Sequence, residues 1–171
     1  YREKFVSLGT ITDDDYEFKK IDYIIYAGSL GRYYRKNIKD FKNNSFLKVD
    51  EKKLKEMKRK LSIYKKKYKV GLSWKSFSDK FATDKSLNLK DLKKIFSLTD
   101  CDIFNLQYGV VEDEINSFNN TAKNKLLSIE DLDLINDFEG IASLLKSLDV
   151  FISVSNSTAH LAGALGVKTI L

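Results

Sequence analysis

The sequence predicts an α/β fold, a Rossmann-like three-layer domain in which helices cover both faces of a parallel sheet. From residue 69 onward, short apolar runs alternate with segments of helical hydrophobic spacing. The runs contain few polar residues, as is typical of strands that are covered on both faces. Strands and helices joined by short connections favour right-handed βαβ units, and these make neighbouring strands parallel.

Five strands and four helices are predicted in alternation. The strands are expected at 69–74, 102–107, 125–129, 149–154 and 168–171. The helices between them are expected at 87–98, 111–120, 138–148 and 157–166. Acidic residues in the first turn of the second helix support its direction, because they complement the helix dipole. We therefore expect a parallel sheet of at least five strands.

A different pattern precedes this alternation. Two strands are expected at 5–11 and 21–28, and an aromatic, basic connector follows them. The chain starts at Tyr1 and stops inside the fifth predicted strand, so we expect a piece of a longer protein. Residues 1–45 are predicted to be the tail of a preceding domain and its connector. Residues 46–171 are predicted to be the Rossmann-like domain, truncated at its C-terminus.

The densest run of lysines, at 48–69, raises the question of a nucleic-acid partner. Within it, apolar residues at helical spacing predict a mostly exposed helix over 48–67. Only four of the 30 basic residues in the chain are arginine, the residue that phosphate recognition favours. A solvated helix face accounts for the lysines, so nucleic-acid binding is the least favoured interpretation and we expect no such partner.

Composition also limits location and cofactors. No apolar stretch approaches the ~20 residues that span a bilayer, so we expect no transmembrane segment. The chain has one cysteine and one histidine, too few for a disulfide framework or a transition-metal centre. We expect no metal and no other cofactor, and a cytoplasmic location with the inner face of the membrane as the alternative.

A row of small polar residues follows the predicted fourth strand. A helix that begins there offers free backbone N–H groups and the positive end of its dipole, a combination that favours a phosphate. The residues of this row are Ser155, Asn156, Ser157 and Thr158. Ligands of open parallel sheets bind beyond the carboxyl ends of the strands. The loop after the first strand would therefore supply positive charge on the other side of the phosphate. Its lysines are Lys75, Lys80 and Lys85.

These residues have a second interpretation without a ligand. Serine and asparagine are common N-cap residues, so Ser155 or Asn156 could simply cap the helix. His160 lies about one turn into the helix, where it either donates to a phosphate or packs as a structural residue. No carboxylate follows that would orient His160 as a catalytic base.

Several segments together resemble the C-terminal half of a GT-B glycosyltransferase. They are KVGLSWKS, FNLQYG and DFEGIASLLKSLDVFISVSNSTAHLAGALGVKTIL. The chain looks most like heptosyltransferase-like enzymes and like bacterial proteins akin to O-linked N-acetylglucosamine transferases, which place such a domain after tetratricopeptide repeats. The resemblance implies two Rossmann-like domains that face a cleft, with a nucleoside-diphosphate sugar held mainly by the C-terminal one.

The resemblance also implies roles for single residues. Ser153, Val154 and His160 match the phosphate-binding loop of the family, whereas Ser155 replaces an acid and Asn156 replaces a threonine. The other positions implied at the nucleotide are Lys85 and Ser86 in the first loop, Gln107 and Gly109 after the second strand, and Asp137 near the nucleoside.

The implied function is the donor-binding half of a glycosyltransferase of the hexosyl or heptosyl type. It would move a sugar from a nucleoside diphosphate to an unknown protein or glycan acceptor, without a metal. The chain alone is expected to be inactive, because the acceptor site and catalytic base would lie in the N-terminal domain. Since Ser155 stands where the family has an acid, a non-catalytic module that binds a nucleotide sugar or sugar phosphate is the alternative.

Overall fold

The computed structural model describes residues 25–41, 44–77 and 85–171. The chain divides into two units after Asn43. The described part of the first unit contains two 3₁₀ turns, Ala27–Ser29 and Ile38–Asp40, and one short helix, α1 (Gly31–Tyr34).

The prediction of a strand over 21–28 is wrong for the part that the structure describes, residues 25–28. Ile25 and Tyr26 have no regular structure, and the N–H group of Ser29 donates to the carbonyl oxygen of Tyr26 at 2.8 Å, which closes a 3₁₀ turn instead. Residues 21–24 and the strand predicted at 5–11 lie outside the described residues.

The second unit is built on a five-stranded parallel sheet. Its strands are β1 (Tyr68–Ser73), β2 (Cys101–Asn105), β3 (Leu126–Leu127), β4 (Val150–Ser153) and β5 (Thr169–Ile170). Their order is β3-β2-β1-β4-β5, and each neighbouring pair is parallel. The predicted fold class, an α/β Rossmann-like domain with a parallel sheet, is confirmed.

Helices cover both faces of this sheet. They are α2 (Glu51–Leu61), α3 (Lys93–Phe96), α4 (Glu112–Thr121), α5 (Phe138–Leu145) and α6 (Ser157–Ala164), and a 3₁₀ turn, Leu89–Leu92, leads into α3. Because successive strand residues point to opposite faces, Ile103 packs in a core with α3 and α4, and Phe104 packs in a core with α2, α5 and α6. The helix predicted over 87–98 is present as the 3₁₀ turn and α3.

Helix α2 is mostly exposed, as predicted, but it is shorter than the predicted 48–67. The side chain of Asp50 accepts from the N–H group of Lys53 at 2.9 Å and caps its start. After Leu61 the chain turns, and the Tyr64 ring packs edge-on against Phe104 with 5.0 Å between the ring centroids. The end of α2 at Leu61 could not be predicted from helical spacing. Tyr64 continues the apolar spacing of the helix but packs on the core from the turn that follows.

The strand order reverses direction between β1 and β4. The chain passes from β1 to β2 on one side, and β4 later pairs with β1 on the other side. Ser73 and Ser153 are register partners at the carboxyl ends of these two strands. In open α/β sheets, such a reversal leaves a crevice between the loops that follow the strands, and ligands bind there.

Two helical glycines should respond oppositely to alanine. A Cβ atom at Gly140 would overlap the carboxylate of Asp137 and lie 2.6 Å from Leu132 Cδ1, whereas nothing lies within 4 Å of one at Gly163. We expect Gly140→Ala to lower the free energy of unfolding by about 1–3 kcal/mol. Gly163→Ala should raise it by roughly 0.5–1 kcal/mol. Urea denaturation of the two variants tests this, and similar effects of the same sign would contradict it.

Candidate functional site

A buried glutamine organises the carboxyl end of β1. Gln107 is 1% exposed, and its Oε1 atom accepts from Ser73 Oγ at 3.0 Å, from Trp74 N at 2.8 Å and from Lys75 N at 2.6 Å. Its Nε2 atom donates to the carbonyl oxygen of Tyr108 at 2.8 Å. Gln107 therefore fixes the path of the chain as it leaves β1.

Asn156 joins this network to the start of α6. Its Nδ2 atom donates to Ser73 Oγ at 2.7 Å and to the carbonyl oxygen of Lys75 at 3.2 Å. Its Oδ1 atom accepts from the N–H group of Ala159 at 3.1 Å, which caps α6. The capping interpretation therefore applies to Asn156, and the same side chain ties the loop after β4 to the loop after β1.

The first N–H groups of α6 remain available. Those of Ser157 and Thr158 have no hydrogen-bond acceptor among residues 25–41, 44–77 and 85–171. Ala159 and His160 donate to the side chain and the carbonyl oxygen of Asn156 instead. Two donors and the positive end of the helix dipole thus lie beside the β1–β4 crevice, an arrangement that favours an anion.

Lys75 is paired with a carboxylate. Its Nζ atom lies 2.6 Å from Glu114 Oε2. Glu114 also accepts from Trp74 Nε1 at 3.2 Å and from the N–H group of Leu89 at 3.0 Å. This pairing neutralises a lysine that the sequence suggested for phosphate binding, and it braces the loop after β1 against α4.

The pKa of Glu114 follows from these contacts. Burial raises it, but the hydrogen bonds from Leu89, Lys75 and Trp74, together with the charge of Lys75, outweigh burial and hold the pKa below its ordinary value. A carboxyl group whose pKa is lower in the folded state stabilises the fold above its unfolded pKa. That contribution is lost as the pH falls through the folded pKa.

A pH series tests this role of Glu114. We expect Glu114→Gln to lower the free energy of unfolding at pH 7 and the difference from the unmodified protein to shrink below the ordinary glutamate pKa of 4.5. Glu112→Gln, an exposed substitution in the first turn of the same helix, serves as the control. A difference for Glu114→Gln that does not change with pH would contradict the role.

Two hydrogen bonds join the start and the end of the loop after β1. Ser76 N donates to Ser86 Oγ at 3.1 Å, and Leu87 N donates to the carbonyl oxygen of Trp74 at 2.8 Å. Ser86 thus shapes the loop, and Lys85 is exposed beside it. Lys80 lies outside the described residues.

Two adjoining cavities open at the same edge of the sheet. The smaller, the α6 cavity, has a volume of about 160 Å³. It is lined by Tyr108, Leu134, Ile135, Phe138, Ile141, Ser157, Thr158 and Leu161. The larger, the β2–β3 cavity, has a volume of about 390 Å³, and Tyr108, Leu134 and Ile135 line it as well. The two residues whose N–H groups are available, Ser157 and Thr158, therefore also line the α6 cavity.

Glycine shapes the rim of these cavities. Gly109 has a φ angle of +88°, and a Cβ atom there would lie 2.6 Å from the ring of Phe77. The rings of Phe77 and Tyr108 pack with their centroids 5.5 Å apart. The tight turn after β2 thus lets an aromatic pair stand beside the crevice.

The remaining predicted site residues lie near this edge with different partners. Asp137 caps α5 through the N–H group of Gly140 at 2.9 Å and pairs with Lys53 at 3.3 Å. Ser155, Ser157 and His160 are exposed at the start of α6, and Thr158 is buried there.

Sequence reasoning assigned no site role to three residues of this region, Ser73, Tyr108 and Glu114. Ser73 lies inside a predicted strand, Glu114 inside a predicted helix and Tyr108 in a short loop. Their roles depend on pairings across the fold, such as Ser73 with Asn156, which are 83 positions apart. By contrast, Asp133, in the nearby loop after β3, forms only local hydrogen bonds with the described residues. Its carboxylate accepts from the side chain of Asn136 and from the N–H groups of Ile135 and Asn136, and these bonds lower its pKa.

The described residues contain neither a candidate metal-ligand cluster nor a membrane-spanning helix. No group of three or more histidine, cysteine, aspartate or glutamate side chains among them could hold a metal ion. Likewise, none of the helices in this part of the chain has the length and apolar character needed to cross a membrane.

The second unit has a GT-B glycosyltransferase-like fold. Among solved structures, the chain is similar to the ADP-heptose lps heptosyltransferase II of E. coli, with a TM-score of 0.53 and 12% sequence identity. The alignment covers 77% of this chain and 41% of that one. At this identity, the likeness shows the fold.

One curated relative is more similar in sequence. Protein FlbA of Caulobacter vibrioides is 32% identical over 126 residues, which are 73% of this chain and 21% of FlbA. The chain therefore spans about a fifth of the length of this relative. No family model matches the chain.

Proposed function

We propose that this chain is the donor-binding half of a glycosyltransferase that takes a sugar from a nucleoside diphosphate. One observation carries the proposal: the apolar α6 cavity and the available N–H groups share Ser157 and Thr158. A nucleoside diphosphate needs an apolar cavity for its nucleoside directly beside hydrogen-bond donors for its phosphates. The heptosyltransferase-like fold supports the proposal.

In this proposal, the diphosphate accepts from the N–H groups of Ser157 and Thr158. Preorganised donors at a helix start stabilise the charge that builds up on a departing diphosphate. Lys85 and His160 assist from the two sides of the crevice. Gln107 and Asn156 act as positioning residues, since their side-chain atoms are engaged within the protein.

The nucleoside occupies the α6 cavity in this proposal. Tyr108 and Phe138 offer aromatic surface for a base, and Leu134 and Ile135 close the apolar wall. Asp137 precedes Phe138, and its carboxylate is engaged by the N–H group of Gly140 and by Lys53, so it acts here by fixing the start of α5. Acceptor recognition, the catalytic base and the association with tetratricopeptide repeats belong to parts of the protein beyond this chain.

Two features of the site favour a second candidate function. Lys75 is neutralised by Glu114 at 2.6 Å, and Ser155 stands where related transferases have an acid. Both features suit a module that binds a nucleotide sugar or sugar phosphate without transferring the sugar. The two candidates share the binding site and differ only in turnover.

Calorimetric titration with ADP, UDP, GDP and CDP tests binding, with the corresponding nucleosides and inorganic pyrophosphate as comparisons. We expect one nucleoside diphosphate to bind at least tenfold more tightly than pyrophosphate, because apolar burial adds to phosphate contacts. Ile135→Glu should weaken it, because it places a charge in the apolar wall. The control is Val110→Glu, which is 96% exposed and lines neither cavity. Equal affinity for pyrophosphate and every nucleotide would overturn the proposal.

A further inference from the structure

The positive charge of this chain is concentrated in one segment. Residues 51–69 contain ten basic and two acidic residues, a net charge of +8, whereas the whole chain carries +6. The rest of the chain is therefore slightly negative. This segment comprises α2, the turn after it and the start of β1.

The end of this segment forms a surface at the amino edge of the sheet. We call it the amino-edge patch and define it by Lys58, Ile63, Lys65, Lys67, Tyr68 and Lys69. Lys58, Lys67 and Lys69 line one open cavity of about 330 Å³. Asp149 is the acidic residue of that cavity, and its carboxylate accepts from the backbone N–H group of Lys69 at 2.7 Å.

Helix stability accounts for only part of this charge. Lys58, Arg59 and Lys60 lie in the last turn of α2, where cations complement the helix dipole. Lys65 still donates to the carbonyl oxygen of Ser62, the C-cap of α2, at 2.7 Å. Lys67 and Lys69 lie beyond the helix end. The Nζ atom of Lys66 donates to Asn124 Oδ1 and to the carbonyl oxygen of Cys101, both at 3.2 Å. Because this side chain is engaged within the protein, Lys66 is not included in the patch.

Apolar side chains accompany the lysines of the patch. Ile63 is 70% exposed and Tyr68 is 43% exposed. Lys67 Nζ lies 4.9 Å from the centroid of the Tyr68 ring. Flexible lysines beside an exposed aliphatic and an aromatic side chain suit the boundary between lipid headgroups and acyl chains.

We propose that the amino-edge patch binds an anionic lipid surface. Each lysine near such a surface contributes electrostatic attraction, and clusters of four to eight basic residues are typical of segments that bind anionic lipids. A folded acidic partner would favour arginine, which forms planar paired contacts, and the segment has one arginine. The six residues of β1 span roughly 20 Å, so the patch and the carboxyl-edge cavities lie at opposite ends of the strand. The proposal does not depend on the proposed function.

Vesicle sedimentation tests the proposal with the full chain. We expect binding to phosphatidylcholine vesicles that contain about 30 mol% phosphatidylglycerol, and none to phosphatidylcholine alone. Raising the salt concentration from about 0.05 M to about 0.5 M should release the protein, because the Debye length shortens. Lys58→Gln/Lys65→Gln/Lys67→Gln should weaken binding more than about 30-fold.

A matched control removes the same number of charges elsewhere. Lys90→Gln/Lys93→Gln/Lys94→Gln changes exposed lysines on the 3₁₀ turn and α3, which cover the other face of the sheet. It should weaken binding by less than about threefold. Ile63→Ser should lower the affinity and leave its salt dependence unchanged. Equal losses in both triple variants would overturn the proposal. So would binding to duplex DNA, poly-glutamate or inorganic phosphate without binding to anionic vesicles.

Discussion

Replacing Gln107 by methionine is expected to lower the free energy of unfolding by roughly 3–5 kcal/mol. Methionine has a similar length but no strong acceptor, so it leaves the donors of Ser73, Trp74 and Lys75 unsatisfied. Gln107 is 1% exposed, so the donors that lose its oxygen are buried. Urea denaturation monitored by the fluorescence of Trp74, the single tryptophan of the chain, measures the loss.

The control for this experiment is Asn120→Met. Asn120 is exposed on α4, and its side chain makes no hydrogen bond with the described residues, so we expect a change within about 0.5 kcal/mol. If Gln107→Met were as mild as Asn120→Met, Gln107 would not be the centre of the network.

Replacing Ser157 by proline is expected to weaken nucleoside diphosphate binding by roughly 10- to 100-fold. Proline removes the backbone N–H group, and a hydrogen bond to a charged group contributes about 1.5–3 kcal/mol. The helix should tolerate the change, because Ser157 is the first residue of α6 and proline is common there. Asn156 already has the extended backbone that precedes proline, with φ −143° and ψ 178°.

Ser157→Ala is the matched control, since it removes the exposed hydroxyl group and keeps the N–H group. We expect its affinity to stay within a few-fold of the unmodified protein, as measured by the same calorimetric titration. Equal losses in the alanine and proline variants would assign the contact to the hydroxyl group. Unchanged affinity in both variants would place the diphosphate elsewhere.

Much of the fold could be predicted because its signals are local. Each strand of the sheet is a short apolar run, and each helix between strands has its own hydrophobic spacing. Parallel pairing follows from these signals, whereas the register between Val70 and Ile103, or between Ser73 and Ser153, is set by packing in the folded sheet. The strand order, in which β4 pairs beside β1, was not predicted; it is the order of a Rossmann-like sheet.

The side-chain hydrogen bonds and the ion pair of the site could not be predicted in the same way. Ser73 and Gln107 are 34 positions apart, and neither residue type signals the other. Lys75 had the charge and position of a phosphate ligand, but its pairing with Glu114 depends on how α4 packs. Asn156 was predicted both as a cap and as a ligand residue. Local sequence could support the cap, whereas its bond to Ser73 requires the folded sheet.

The most direct measurement of the central claim is the response of individual backbone amides to a nucleoside diphosphate. In a ¹⁵N-labelled chain, titration with the tightest-binding nucleotide should shift the amide resonances of Ser157 and Thr158 in proportion to occupancy. The amides of Lys67 and Lys69, at the opposite edge of the sheet, should stay unchanged. Shifts confined to Lys67 and Lys69, with Ser157 and Thr158 unmoved at saturation, would contradict the account.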